Sequence, residues 1–204
     1  KIKKYNFIFL KKKLIKAQQS KIKLSPYLKY NKNSLNTFFR VGNNMQAISI
    51  VFKKKFLIDN KLKFQKGIFE DIFYMFKCHF FNSNRIGYFP HDIYVKIDNQ
   101  QSITNRSKTL NHFKFKFKAW KSIEFFLKKN LTKNAFNELS DDIQYRWRGE
   151  FINEYQQIIK SGLSRNKKVL FEDYIKKLYK KFIKKKFIVI THKDKQTKKE
   201  LFNV

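Results

Sequence analysis

Four histidines are the first residues to test for chemistry, and their spacing speaks against it. His79, His91, His112 and His192 lie in four separate segments, with none of the short intervals that gather ligands around a metal ion. The acids Glu138, Asp141 and Asp142 cluster, but no second acid group stands near them, so they read as one face of a helix. The five glycines are too scattered to form a phosphate-cradling loop. No nucleophile has a base within reach. The single cysteine, Cys78, excludes an internal disulfide and a thiolate cluster, and reads as a small apolar filler among aromatic neighbours. The expectation is therefore no enzyme, no cofactor and no metal.

What recurs instead is lysine interleaved with aromatics. Lysine and arginine total 47 against 15 acids, a formal charge of +32, while 24 phenylalanines and 10 tyrosines are spread among them. Self-repulsion of that size opposes a compact chain unless an anionic partner neutralises it. Nucleic acid fits first, because Lys and Arg release counterions from phosphate and aromatic rings stack on unpaired bases. An anionic membrane surface is the second candidate. The pattern suits RNA as a class without naming the RNA.

These residues must be positioned by a folded body. Hydrophobic residues make up 42% of the chain, more than a disordered chain carries. No apolar run approaches the ~20 residues of a membrane span. The first residues carry neither a cleavage signal nor a transit pattern, so the chain reads as made where it works. Heavy use of Lys, Phe, Ile, Asn and Tyr, with two prolines, points to an AT-rich and hence organellar genome.

Along the chain, residues 1–33 read as a basic extension whose Lys11, Lys12, Lys13, Lys16, Lys21 and Lys23 thread into RNA. Residues 34–56 read as two short helices broken at Gly42-Asn43-Asn44, with Leu35, Phe38 and Phe39 on one apolar face and Ala47, Ile50 and Val51 on the next. Lys53 adds charge beyond them. A third helix runs from Gln65 to Lys77 on Ile68, Ile72, Met75 and Phe76. Residues 78–97 then read as a β-hairpin: His79-Phe80-Phe81 and Ile93 to Ile97 flank a turn-rich middle. Phe113 to Lys118 alternates like a strand, Ala119 to Lys129 has helical spacing, and Ala135 to Leu139 and Asp141 to Lys160 continue as helix until Gly162. Glu172 to Ile183 is a last basic amphipathic helix, and residues 185–204 read as a tail.

Three local patterns now converge. Gly42-Asn43-Asn44-Met45-Gln46-Ala47-Ile48-Ser49-Ile50-Val51-Phe52 resembles Gly-Lys-Lys-Ser-x-Ala-x-x-Ile-Val-Tyr. Arg85-Ile86-Gly87, followed by Ile93-x-Val95-x-Ile97, resembles Arg-Val-Gly-Gly followed by Val-x-Val-x-Val. Asn137-Glu138-Leu139-Ser140-Asp141 matches Asn-Glu-Leu-Ser-Asp, with Trp120 at the preceding tryptophan. In this order they resemble the universal small-subunit ribosomal protein seven family. Leu24-Ser25-Pro26 resembles its lead-in, and Lys167-Lys168 with Glu172-Asp173, before a helix reaching Phe182, resembles its last helix. The chain departs from the family in several places. Asn43 and Asn44 replace two lysines, so that turn can hydrogen-bond phosphate but not neutralise it. Tyr88 replaces the second hairpin glycine, Pro90 enters the loop, and residues 142–161 read as an insertion. From Phe117 onward the family's helix overrides the alternation.

The resemblance implies a mainly α fold: a single helical domain of about six helices at residues 34–184, with a protruding hairpin arm at about 78–97. It implies a structural constituent of the small ribosomal subunit that binds head rRNA, nucleates head assembly and lines the exit-tRNA and mRNA exit region. Its partners would be small-subunit rRNA and neighbouring head and platform proteins, with exit-site tRNA and mRNA nearby and no membrane. The setting would be the ribosome of a mitochondrion, or alternatively of a plastid. The expected rRNA-binding residues are the six leader lysines with Asn43, Asn44, Lys53, Arg85, Lys108, Lys114, Lys116, Lys118 and Lys121. The arm would present Arg85, Ile86, Gly87 and Tyr88. Two rival readings are another organellar rRNA-binding protein and a basic nucleoid or membrane-surface protein.

Overall fold

The computed structural model describes residues 7–16, 19–23, 35, 38–39, 47, 50–67, 69–82, 87–97, 109–160 and 162–183. Among them run four strands, β1 (Phe7–Lys16), β2 (Gln19–Lys23), β3 (Ile50–Phe52) and β4 (Gly87–Ile97). Six helices follow the same order: α1 (Lys54–Asp59), α2 (Glu70–Phe80), α3 (Leu110–Asn130), α4 (Lys133–Glu138), α5 (Ser140–Lys160) and α6 (Arg165–Ile183). The fold is mainly α and forms a single domain, as the family resemblance implied.

The helices are delimited by local chemistry. α2 opens with Glu70 and Asp71, whose charge suits the N-terminal end of the helix dipole, and closes with Lys77 and His79. Its entry is turned by Phe69, held in the left-handed region at φ 67°. Thr109 caps α3 by accepting a hydrogen bond from the His112 N–H at 3.3 Å, and Thr132 caps α4 by accepting one from the Ala135 N–H at 3.3 Å. The matched Asn137-to-Asp141 motif spans the junction of α4 and α5. Asp141 and Asp142 stand in the first turn of α5, and Lys160 stands in its last.

One aromatic core joins these elements. Phe38 meets Phe39, Phe76 and Trp120 at centroid distances of 5.3–5.7 Å. Phe126 of α3 packs edge-on against Phe73, Phe76 and Phe80 of α2. Phe117 stacks on Trp147 (5.7 Å, 5°) and Phe151 (5.0 Å, 24°), which fastens α3 to α5. Phe113 meets Phe171 of α6 at 5.0 Å.

The structure departs from the sequence expectations in several elements. Cys78, His79 and Phe80 close α2 instead of opening a hairpin, because Phe73, Phe76 and Phe80 keep the helical spacing that packs on Phe126. The extended return of the expected arm does form, as β4, but it pairs in parallel with β1, from Ile8↔Gly87 to Ile15↔Ile97. The leader, read as a basic extension, carries β1 and β2 as antiparallel strands, with Lys12 across from Lys23. Ile50–Phe52 is strand β3, paired to Phe7–Phe9, where a second helix was expected. Phe113–Lys116, expected as strand, belongs to α3. Residues 142–160, within the stretch 142–161 read as an insertion, belong to α5 and contribute Ile143, Trp147, Phe151 and Ile158 to the core, which leaves that reading as it stood.

Candidate nucleic-acid interface

α3 separates its residues by angle. Phe113, Phe117, Trp120, Ile123 and Leu127 recur at intervals of three and four and are buried. On a separate face Lys114, Lys118, Lys121, Phe125 and Lys128 recur at the same intervals, with Lys129 beside them, and all are exposed. The stripe runs ~22 Å along the helix. Phe125, in its midst, is 71% exposed, an unusual position for a large apolar ring. Lys114 lies over the Tyr174 ring at 5.8 Å, which ties the start of the stripe to α6. Lys128 pairs with Glu124 and lies over the Phe136 ring at 5.6 Å.

Lys116 leaves the set expected to touch RNA. Its ammonium lies 2.6 Å from Glu150 Oε2 and 2.5 Å from Glu154 Oε1, both carboxylates being 2% exposed on α5. Arg146 reaches the other oxygen of Glu150 at 2.5 Å and covers the Trp120 ring at 5.1 Å. Burial disfavours the Lys116 ammonium, but the two carboxylates more than offset it and hold its pKa above the ordinary lysine value. The four side chains form a neutral quartet between α3 and α5, the two carboxylates buried and the two cations partly so.

The remaining candidates divide by location. Lys53 is exposed ahead of α1. Lys11, Lys12, Lys13 and Lys16 stand on β1, and Lys21 and Lys23 on β2. Gly87 and Tyr88 open β4, with backbone partners Ile8 and Phe9. Asn43, Asn44, Arg85, Ile86 and Lys108 lie outside the described residues. The structure thus groups Lys114, Lys118 and Lys121 and adds Phe125, Lys128 and Lys129. Extending the helical interval from Lys114 in the sequence would have found these three and excluded Lys116, which shares the face of Phe113 and Trp120.

Among the described residues no group of three His, Cys, Asp or Glu is arranged to hold a metal ion. His79 is buried against Phe38, and His112 meets Phe69 edge-on at 4.6 Å. The Cys78 thiol is buried beside Tyr74, and burial pushes its pKa up to about 12, far from the thiolate that a nucleophile or ligand needs. No described helix is long and apolar enough to cross a membrane. No family model and no curated protein matches the chain.

Proposed function

We propose that this protein is a structural constituent of a small ribosomal subunit that binds rRNA of the head domain, in a mitochondrion or, alternatively, a plastid. The observation that carries the reading is the α3 stripe: lysines repeated turn by turn around an exposed phenylalanine, on a chain of charge +32. Lysines spaced along a rigid helix each approach a phosphate, and the counterions they release drive binding. Such contacts fix position, while folded RNA shape supplies selectivity. The order of the three motifs supports this RNA over others, and with it neighbouring head and platform proteins and a site near the exit tRNA and mRNA path. In this reading the protein binds and organises; it does not catalyse.

The test is sedimentation of organellar extract through a gradient at moderate salt. The protein is expected in the small-subunit fractions. Recovery only with membranes or nucleoids overturns the proposal and favours the rival readings. Replacing Lys114, Lys118 and Lys121 together by Gln is expected to weaken rRNA binding at least tenfold and to reduce the log–log salt slope by about 2–3.

A further inference from the structure

We infer that Phe64 is a stacking platform for an unpaired nucleobase and that the lysines around it hold the flanking phosphates. This rests on the RNA-binding reading and adds a second site, on a different element from the α3 stripe.

Phe64 is 53% exposed, yet it is held in place. Its ring lies parallel to Tyr74 at 3.9 Å and 15°, and Tyr74 is itself 4% exposed and braced edge-on by Phe52 at 5.7 Å. One face of Phe64 is therefore covered by protein and the other meets solvent. The chain leading to it is fixed as well. The Lys61 N–H donates to the Ile58 carbonyl at 3.0 Å, the Leu62 N–H donates to the Leu57 carbonyl at 2.9 Å, and Leu62 is buried. Lys61 takes the left-handed conformation, φ 50°, that this turn requires of it. A ring so fixed loses little freedom when a base stacks on it.

The chain on either side of the ring is rich in lysine, while Glu70 and Asp71 lie one turn before Tyr74. Lys53, Lys54, Lys55, Lys61, Lys63 and Lys66 are all exposed. The one acid between Lys53 and Gly67, Asp59, is paired with Lys55 at 3.2 Å. A ring flanked by lysines suits single-stranded RNA, because every base offers a π face and every nucleotide a phosphate. A duplex keeps its bases stacked inside and offers Phe64 none.

The experiment compares an unpaired RNA of ~12 nucleotides with an RNA duplex of equal phosphate count, in the full chain. Phe64→Ala is expected to weaken single-strand binding by about tenfold and to leave duplex binding unchanged. Phe64→Trp should keep single-strand affinity and show fluorescence quenching on binding beyond that of the wild type. Replacing Lys61 and Lys63 by Gln should lower the single-strand salt slope by about 0.7 per lysine. If the wild type binds both RNAs and Phe64→Ala matches it on both, the platform falls while the RNA reading stands. If the wild type binds neither, both fall. If Phe64→Ala loses both RNAs, an absence of quenching in Phe64→Trp overturns the platform. So does a Phe64→Ala defect confined to vesicles of equimolar phosphatidylserine and phosphatidylcholine.

Discussion

Lys114 and Lys116 stand two residues apart on one helix, and they serve opposite ends. Lys114 is exposed; Lys116 faces two carboxylates that are themselves 2% exposed. Removing Lys116 takes its positive charge away from two buried carboxylates in a poorly polarisable interior, while Arg146 stays on Glu150. Lys116→Met is therefore expected to cost about 3–5 kcal/mol. Lys114→Ala and Lys118→Ala should each stay within about 0.5 kcal/mol. Urea unfolding of the three variants checks this, and similar midpoints for all of them would remove the quartet from the account of stability. Cys78 adds a pH dependence. Its folded pKa is about 12 against an ordinary 9.0. The unfolded chain therefore releases this proton first as pH rises, and the stability tied to the neutral thiol is complete below pH 9 and declines from there towards 12. Tyr74, also raised by burial and then by Cys78, acts in the same direction at higher pH. Thermal melts of wild type and Cys78→Ala from pH 8 to 10 should converge as pH rises. A constant gap would mean that the thiol titrates alike in both states.

At the scale of the element, α3 depends on its start. Thr109 satisfies one of the otherwise unpaired N–H groups of the first turn, so Thr109→Ala should lower stability by about 1 kcal/mol. It should also speed hydrogen exchange in residues 110–113, and unchanged exchange there would show that the cap is dispensable. Sequence alone revealed the second half of α3, the two helices around the Asn137-to-Asp141 motif, and the break at Gly162, because these rest on local spacing and caps. It misread Phe113–Lys116, since six alternating residues satisfy a two-residue period even when only Phe113 and Phe117, one helical turn apart, are buried and Phe115 is 42% exposed. It also ended α2 too early, because aromatic residues such as His79 and Phe80 suit a strand as well as a packed helix. The pairing of β4 with β1 joins segments about eighty residues apart, and no local pattern announces such a partner. For the interface, the lysine-rich character was plain from composition. The sorting of Lys116 from Lys118 was missed because a two-residue period puts both on one face, whereas the helical period of α3 separates them.

For the whole molecule, the distribution of acids makes the surface more basic than the composition states. Of the 15 acids, Glu150 and Glu154 are 2% exposed and Asp142 is 9% exposed, so their charge is spent inside against Lys116, Arg146 and the start of α5 rather than between surface lysines. The remaining acids face an excess of cations over most of the described surface, and two of them, Asp59 and Glu124, are already committed to Lys55 and Lys128. Self-repulsion among the others should limit the free protein at low ionic strength, where charges interact over about 30 Å, and should fade near 1 M salt, where the range falls to about 3 Å. The melting temperature of the free chain is thus expected to rise between ~0.01 M and ~1 M salt. A relief of about 1–2 kcal/mol corresponds to roughly 2–8 °C at this size. Stoichiometric RNA should produce a similar rise at low salt and little at high salt, because the same phosphates that bind also neutralise. Circular dichroism melts across the salt series, with and without RNA, decide the matter. A melting temperature that falls as salt increases would mean that ion pairs dominate over repulsion. The +32 charge would then need no anionic partner to stabilise the fold, and the argument from charge to RNA would lose its physical basis.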